Sequence, residues 1–296
     1  MPHFAAFTLS LPDRKLVIDH PLIMGILNVT PDSFYAESRA FTASAVEQRV
    51  EEMVSEGVDI IDIGAYSTRP GADEVAPQEE LARLERGIAA VRRLAPHIPI
   101  SIDTFRASVA ETCVASLGAH IINDVSGGTL DADMLATAAR LNVPYILMHM
   151  RGTPATMQQF TQYAGGVVHD VVADLKGKKQ QFEQAGCRQI IIDPGFGFSK
   201  TLEQNYELMN GLEAFGRLNA PILVGISRKS MIYRLLQTTP QEALHGTTAL
   251  HTVAMMKGCH ILRVHDVKAA VQARAICLSL RPAQENMNPF TNISTQ

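Results

Sequence analysis

The sequence is poor in cysteine. Its 296 residues include four cysteines, Cys113, Cys187, Cys259 and Cys277, which are far apart and form no C-x-x-C pair. This spacing argues against a zinc knuckle and against a compact disulfide framework. Scattered thiols are typical of a reducing compartment, so we expect a cytoplasmic protein.

Long hydrophobic runs and an excess of positive charge are also missing. No apolar run is long enough to span a bilayer. Lysine and arginine number 26 against 30 aspartates and glutamates, which gives a net charge of −4 at pH 7. No overall basic field therefore favours nucleic acid or an anionic membrane, and we expect neither as a partner. The balance of 46% hydrophobic and 19% charged residues indicates a globular protein.

The N-terminal segment lacks the pattern of a signal peptide. The run FAAFTLSLP has no Lys or Arg before it and continues directly into Asp13, Arg14 and Lys15. FTLSL (7–11) and KLVID (15–19) are short strand-like runs, separated by Pro-Asp-Arg. Since Pro and Asp favour turns, this pattern predicts an N-terminal β-hairpin within residues 1–20.

From residue 22 onward, short runs rich in Ile and Val alternate with longer segments of helical periodicity. Eight runs have the character of strands: LIMGILNV (22–29), DIIDIG (59–64), IPISID (98–103), HIINDV (120–125), YILMHM (145–150), QIIIDPG (189–195), PILVGIS (221–227) and HILRVHD (260–266). Two of the helical segments stop at Gly57 and before Pro96. The alternation predicts βα units on a parallel sheet.

The number of βα units distinguishes between two architectures. Eight repeats in about 260 residues match a single (β/α)8 TIM barrel. A doubly wound sheet usually carries a Gly-rich fingerprint after its first strand, and this sequence has none there. No linker rich in Pro, Gly or Ser divides the chain. We therefore expect an α/β barrel domain over 21–282, preceded by the hairpin and followed by a tail over 283–296.

Common nucleotide and metal motifs are absent. GFGFSK (195–200) lacks the third Gly of a dinucleotide fingerprint, and GISRKS (225–230) lacks the Gly before Lys of a phosphate loop. The first barrel strand ends in N-V-T rather than H-x-H, and no H-E-x-x-H occurs. We therefore expect neither a nucleotide loop nor a zinc hydrolase.

Polar side chains lie at or near the carboxyl end of the predicted strands. The set comprises Asn28, Asp62, Asp103, Asn123, Asp124, His149, Asp193, Ser227, Arg228, Lys229, Arg263 and His265. In a TIM barrel this face carries the active site. A single buried Asn or His is most often a satisfied core group, but this explanation accounts poorly for eight strands with the same feature.

The chemistry of this set indicates a ligand with two different ends. Its acceptor groups are Asp103, Asn123 and Asp193. They suit a flat heterocycle with adjacent N–H donors, because a carboxylate accepts two parallel hydrogen bonds. Its cationic or donor groups are Lys229, Arg263 and His265. They suit an oxyanion leaving group, so the sequence predicts a neutral planar end and a phosphate end.

Eight motifs resemble those of the dihydropteroate synthase family, in order and in spacing. They are MGILNVTPDSF (24–34), STRPGA (67–72), SIDTF (101–105), NDVSG (123–127), LMHMRGTPATMQ (147–158), DPGFGF (193–198), GISRKSM (225–231) and RVHDV (263–267). The resemblance covers nearly the whole barrel. It implies a folate-pathway transferase that condenses (7,8-dihydropterin-6-yl)methyl diphosphate with 4-aminobenzoate, giving 7,8-dihydropteroate and diphosphate.

The resemblance also implies roles for individual residues. The implied pterin site is Asp103, Asn123, Asp193 and Lys229, with Arg263 stacked beside the pterin. The implied diphosphate site is Asn28, Arg263 and His265. The implied aminobenzoate pocket is Phe34, Thr68, Arg69, Pro70 and Ser227. The implied catalytic set is Asp103, Lys229, Arg263 and His265.

Three further expectations follow from the resemblance. The implied cofactor is Mg²⁺, with Asn28 as a ligand, and Mg²⁺ commonly takes few protein oxygens and keeps water and phosphate as its other ligands. Ser227 precedes a predicted helix whose free N–H groups suit the benzoate carboxylate. Homodimerisation through the later barrel helices is also implied.

Two loops depart from the family pattern. After TPDSF the family usually has a Ser-Asp-Gly-like stretch, whereas here Ala36 stands where the loop carboxylate is expected and Glu37 follows it. Our hypothesis is that Glu37 supplies the missing charge, and the alternative is that Glu37 is a solvated loop residue. Ala65 and Tyr66 replace the usual Gly-Glu before STRPG. Both changes affect loop geometry rather than the expected reaction.

Two other functions remain as alternatives. One is a pterin-binding methyltransferase domain that passes a methyl group to a corrinoid, although such a domain does not need the R-V-H and S-R-K-S motifs and the D-x-H-x-x-G signature is absent. The other is a non-catalytic pterin-binding paralogue. A turnover assay with both substrates separates the paralogue from the synthase.

Overall fold

A computed structural model describes residues 4–30, 39–66 and 75–280 of the chain. The strands are β1 (Phe7–Ser10), β2 (Lys15–Ile18), β3 (Leu22–Asn28), β4 (Ile60–Gly64), β5 (Ile100–Asp103), β6 (Ile121–Asp124), β7 (Tyr145–Met148), β8 (Ile190–Asp193), β9 (Leu223–Val224) and β10 (Ile261–Val264). The α-helices are α1 (Arg39–Ser55), α2 (Pro77–Leu94), α3 (Ala107–Ala115), α4 (Met134–Leu141), α5 (Val167–Ala185), α6 (Leu202–Asn210), α7 (Ser230–Leu235), α8 (Leu244–Met256) and α9 (Val267–Ser279).

Strands β3 to β10 form a parallel barrel. Their spatial order is β8-β7-β6-β5-β4-β3-β10-β9, and a parallel bridge between Ile192 and Ile222 brings the two ends of this sheet together. The predicted TIM barrel is therefore confirmed. The seventh barrel strand is much shorter than the predicted run 221–227. Beyond it the chain turns at residues 227–228, where Lys229 N donates to Ile226 O at 3.1 Å.

The alternation of side chains along each strand decides what lies inside the barrel. In β4, Ile61 and Ile63 belong to the layer between strands and helices, whereas Ile60 belongs to the separate apolar cluster inside the barrel. Because successive side chains point to opposite faces, Asp62 and Gly64 share the inner face with Ile60. Because all eight barrel strands run parallel, their carboxyl ends and the inward side chains there lie at the same end of the barrel.

The predicted N-terminal hairpin is present, and it covers the amino end of the barrel. Strands β1 and β2 pair antiparallel, with Phe7 opposite Ile18. Leu9, Leu11 and Ile18 are buried in the apolar cluster that also contains inward-facing residues near the amino ends of the barrel strands. Since this end is closed by the hairpin, the open end is the one with the polar strand ends.

The helices begin and end where local chemistry favours it. Helix α2 has Pro77 in its first turn, acidic residues in the same turn and basic residues in its last turn, an arrangement that suits the helix dipole. Helix α1 ends just before Gly57, which has a φ of +88° that favours glycine. None of the described helices is long and apolar enough to cross a membrane.

Candidate active site

The carboxyl ends of neighbouring strands bring the predicted polar residues together. Asn28 ends β3, Asp103 ends β5, and Asn123 lies in β6 in register with Asp103. Gly64 lies between the first two, and a Cβ added there would stand 3.5 Å from Asn28 Oδ1 and 3.7 Å from Asp103 Oδ2. The missing side chain of Gly64 therefore leaves Asn28 and Asp103 facing the same space.

Arg263 joins the acidic residues at the centre of this end. Its Nε donates to Asp62 Oδ2 at 2.6 Å, and its Nη2 donates to Asp103 Oδ2 at 2.6 Å. Asn123 Nδ2 also donates to Asp62 Oδ2, at 3.0 Å. Burial alone would lower the pKa of Arg263, but Asp62 and Asp103 outweigh it and hold that pKa above its ordinary value. Arg263 thus carries a permanent positive charge between Asp62 and Asp103.

The pKa of the Asp103 carboxyl is raised above its ordinary value. Burial is the main cause and raises its pKa to about 7, while the charge of Arg263 opposes the rise. The nearby carboxylates of Asp62, Glu80 and Asp124 raise the pKa of Asp103 further. A hydrogen-bond donor on a ligand would favour the ionised form of Asp103.

Asp193 and Lys229 are oppositely charged groups that interact electrostatically, and the loop after β8 holds both of them. Asp193 Oδ1 accepts a hydrogen bond from Gly195 N at 2.7 Å. Lys229 Nζ donates to Phe196 O at 2.6 Å and lies 4.7 Å from the centre of the Phe198 ring. Burial lowers the pKa of Lys229 to about 8, opposed mainly by Asp193. Burial also raises the pKa of Asp193, opposed mainly by Lys229.

An apolar surface accompanies these charges. It is a small buried cluster, separate from the main core, formed by Val125, Met148, Met150 and Met157, with Phe105, Leu130 and Phe198 packed against it. Methionine side chains adapt to flat, polarisable rings. The site therefore combines hydrogen-bonding groups with a surface suited to a heterocycle.

Ser227 and His265 are in direct contact. His265 N donates to Ser227 Oγ at 3.1 Å, and His265 Nδ1 lies 3.0 Å from the same oxygen. Next to them, Arg228 binds both carboxylate oxygens of Asp266, at 2.8 and 2.7 Å, and has a φ of +55°. The ends of β9 and β10 are thus tied together. Helix α7 begins three residues after Ser227, at Ser230.

Several predicted site residues lie outside the described residues. They are Phe34, Thr68, Arg69 and Pro70 of the aminobenzoate pocket, and Ala36 and Glu37 of the first loop. Tyr66, at the edge of the second loop, is described. Its ring stands perpendicular to that of Phe105 at 5.2 Å, and Arg106 Cζ lies 5.2 Å from its centre.

The comparison with known families identifies the protein class. Residues 24–265 match the family model described as "Pterin binding enzyme". The chain belongs to this family. The dihydropteroate synthase of Escherichia coli K12 is 41% identical over 278 residues, which cover 92% of this chain and 96% of that protein.

Solved structures of other pterin-binding enzymes agree with the fold. Dihydropteroate synthase from Xanthomonas albilineans with 4-aminobenzoic acid has a TM-score of 0.84 and 36% identity, covering 94% of this chain and 100% of that one. The enzyme from Thermus thermophilus in complex with 6HMPPP has a TM-score of 0.77 and 38% identity, covering 93% of this chain and 100% of that one.

Two residues of this pterin-binding enzyme receive a specific role only in the structure. Asp62 anchors both Arg263 and Asn123, although the sequence shows it only as a polar residue within a strand. Lys200 is 4% exposed and donates to Gly195 O in the loop that holds Asp193 and Lys229. The period-2 pattern of β4 could have assigned Asp62 to the inner face. No local signal shows where the Lys200 ammonium points.

Proposed function

We propose that this pterin-binding enzyme is a dihydropteroate synthase. It condenses (7,8-dihydropterin-6-yl)methyl diphosphate with 4-aminobenzoate and releases diphosphate. The observation that carries this function is the grouping of buried or half-buried acceptors with half-buried cations at one end of the barrel: Asp103, Asn123 and Asp193 beside Arg263 and Lys229. This combination suits a donor-rich heterocycle that bears an anionic leaving group.

The pterin binds on the acceptor side. The 2-amino and N3–H groups of the pterin are adjacent donors, which the Asp193 carboxylate accepts as a pair. The Lys229 ammonium donates to the pterin O4 and N5 acceptors. The methionines beside this pair, Met148 and Met150, provide an apolar surface for the ring.

The diphosphate binds on the cationic side. Arg263 and His265 neutralise charge on the leaving oxygens, and Arg263 is already oriented by two carboxylates. The pterin methylene C–O bond breaks with its electron pair on the diphosphate, and the aniline nitrogen of 4-aminobenzoate forms the new C–N bond and loses a proton. Fixed charge and positioning supply most of the rate.

The benzoate end lies near Ser227. This residue contacts His265 at 3.0 Å, so the residue proposed for the benzoate and the residue proposed for the diphosphate share a hydrogen bond. We therefore propose that occupation of the diphosphate site helps to orient Ser227. Phe34, Thr68, Arg69 and Pro70 complete the proposed pocket.

Mg²⁺ is proposed to enter with the diphosphate. The side-chain oxygen of Asn28 faces the same space as the Asp103 carboxylate, with Gly64 between the two residues. The described residues hold no cluster of three or more His, Cys, Asp or Glu side chains suited to a metal. A single amide oxygen fits Mg²⁺, which keeps water and phosphate as its other ligands. When bound, the ion would neutralise charge on the diphosphate.

A homodimer is proposed from an exposed apolar surface on the later helices. The surface consists of Leu235, Leu236, Val253, Met256, Ile276 and Leu280, and each of these side chains is at least 36% exposed. Helix α8 packs between α7 and α9, which brings these residues onto neighbouring helices. Contiguous exposed apolar side chains are typical of subunit interfaces.

The decisive experiment measures diphosphate release with both substrates present and with each omitted. Release that depends on 4-aminobenzoate and yields dihydropteroate is the expected result. Pterin binding without release would instead indicate the non-catalytic paralogue. Methyl transfer to an added corrinoid, without dihydropteroate formation, would indicate the methyltransferase alternative.

A further inference from the structure

Lys200 is a buried cation that the proposed reaction does not use directly. Its side chain is 4% exposed. Its Nζ donates to Gly195 O at 2.8 Å and to Phe198 O at 2.9 Å, and it lies 3.1 Å from His149 Nδ1. Three acceptors therefore converge on one ammonium, which matches its three donors.

The backbone between β8 and α6 is shaped around this ammonium. Gly195, Gly197 and Ser199 all have positive φ values, 71°, 82° and 54°. These values lie in the left-handed region, which favours glycine, and within this loop the carbonyls of Gly195 and Phe198 both accept from Lys200 Nζ. The Ser199 hydroxyl accepts from Arg151 N at 2.8 Å and donates to Arg151 O at 3.0 Å, so the loop is fastened to the segment after β7.

The same loop holds both members of the Asp193–Lys229 pair. Gly195 N donates to Asp193 Oδ1 at 2.7 Å, and Phe196 O accepts from Lys229 Nζ at 2.6 Å. Gly195 thus contacts Asp193 through its N–H and Lys200 through its carbonyl. Movement of this peptide would displace the carboxylate assigned to the pterin.

His149 accepts from Lys200 as a neutral imidazole. Its ring is completely buried, and burial lowers its pKa to about 2, helped by the charge of Lys200. Because the ammonium can only donate, Nδ1 is the acceptor and the ring proton is on Nε2. Among the described residues Nε2 has no hydrogen-bond partner, and the nearest acidic oxygen, Asp174 Oδ2, is 4.0 Å away.

We propose that Lys200, anchored by neutral His149, is a positioning residue for the pterin subsite. Lys200 holds the loop of residues 194–200 in the conformation in which Gly195 N binds Asp193 and Phe196 O binds Lys229. This role rests on the proposed synthase function, but it concerns the binding of the pterin substrate alone.

Lys200 also acts on Asp193 through its charge. The cations that oppose the raised pKa of Asp193 are Lys229, Arg263 and Lys200. Lys200 itself faces Asp193, Lys229, Arg151 and Asp174, and burial lowers its pKa to about 7. Loss of the Lys200 charge would raise the pKa of Asp193. The decrease in pterin affinity at low pH, the acid limb of the binding profile, would then begin at a higher pH.

Three variants test the proposal. Lys200→Met keeps an unbranched side chain, one heavy atom shorter, and removes the donors and the charge. His149→Leu removes the acceptor, whereas His149→Asn retains a carbonyl oxygen near the place of Nδ1. The loss of Nε2 in His149→Asn is tolerable because that atom has no partner in the described structure. Lys257→Met is the control, since Lys257 donates to Asn210 O in an exposed position.

The readout is the dissociation constant of (7,8-dihydropterin-6-yl)methyl diphosphate, measured calorimetrically against pH without 4-aminobenzoate. For Lys200→Met we expect affinity weakened by about tenfold or more and an acid limb at higher pH. His149→Leu should weaken the affinity, and His149→Asn should recover most of it. Lys257→Met should match the parent protein.

Two results would overturn the proposal. One is Lys200→Met binding the pterin within about twofold of the parent, with an unmoved acid limb. The other is His149→Asn losing as much affinity as His149→Leu, and this pair decides the matter if Lys200→Met does not fold. Failure of the synthase function is recognised separately, because the parent protein would then release no diphosphate with both substrates present.

Discussion

At the scale of single residues, Arg263 connects the two sides of the site. It forms ion pairs with Asp62 and Asp103 at 2.6 Å, and its charge opposes the raised pKa of Asp193. Arg263, proposed to act on the leaving group, therefore also favours the ionised form of Asp103 and Asp193, the carboxylates proposed for the pterin. Replacing it would leave buried carboxylates unpaired, which is costly. More local substitutions are better tests of each role.

Asp193→Asn should abolish useful pterin binding while the fold remains intact. The carboxylate accepts two parallel hydrogen bonds, whereas the amide presents one acceptor and one misplaced donor. The unpaired groups alone cost about 1–3 kcal/mol. Calorimetry with the pterin diphosphate measures the loss, and Asp170→Asn, in the first turn of α5, is the control. Unchanged affinity in Asp193→Asn would refute the assigned role.

The affinity of the free enzyme for the pterin diphosphate should fall as the pH rises through about 8. Burial lowers the pKa of Lys229 to this value, and only the protonated form donates to the pterin. Lys229→Arg keeps its charge at all accessible pH values and should lose the fall near pH 8, even if its affinity is lower. Deprotonation of Lys200, whose pKa is about 7, would still weaken binding in this variant. Titration of kcat/KM against pH measures both profiles, and a fall near pH 8 that persists in Lys229→Arg would assign it to another group.

Asn28→Ala should raise the Mg²⁺ concentration required for half-maximal turnover by about tenfold, through loss of one oxygen ligand. Asn28→Asp retains an oxygen at the same place and should need no more Mg²⁺ than the parent. Diphosphate release measured across a Mg²⁺ titration gives these values. Equal Mg²⁺ requirements in all three proteins would remove Asn28 from the metal site.

At the scale of secondary structure elements, the two ends of the barrel have separate tasks. The hairpin of β1 and β2 buries Leu9, Leu11 and Ile18 against the amino end. The charged groups gather at the opposite end, on strand ends and the loops that follow them. Stability contributed by the hairpin should therefore be separable from turnover.

Ile18→Ala should lower the free energy of unfolding by about 2–5 kcal/mol and leave kcat and KM unchanged below the unfolding transition. Ile18 is completely buried, so the substitution removes packed atoms and leaves a cavity. Its neighbour Val17 is 52% exposed, and Val17→Ala should have almost no effect on stability. Urea denaturation measures both variants. A changed KM in Ile18→Ala would show that the hairpin influences the distant site.

At the scale of the whole molecule, the apolar side chains exposed on α7, α8 and α9 predict a second copy of the chain as their partner. Ile276 is 62% exposed, and Ile276→Glu would place a charge in the proposed interface. We expect the parent protein to sediment at twice the 32.3 kDa chain mass and the variant to dissociate. Val17→Glu, an equivalent change at another exposed apolar residue, should remain dimeric. A dimeric Ile276→Glu would exclude this surface.

The sequence by itself determined the architecture and the chemical character of the site. The number of strands and the positions of the polar residues along the chain are recorded in local periodicity, because each barrel strand is a short apolar run that is followed by polar residues. The types of side chain at those ends, including Asp193 and Lys229, indicate a donor-rich ring and an anionic group. These conclusions need no knowledge of which strands are neighbours.

The tertiary structure alone decided how the charges are shared. Arg263 lies 201 residues from Asp62 and 160 from Asp103 in sequence, and only closure of the barrel places both carboxylates on its guanidinium. The convergence of His149 and two loop carbonyls on Lys200 likewise depends on the packing of β7 beside β8. Burial then shifts the pKa values, and burial is a property of the assembled barrel, because it depends on all surrounding elements at once.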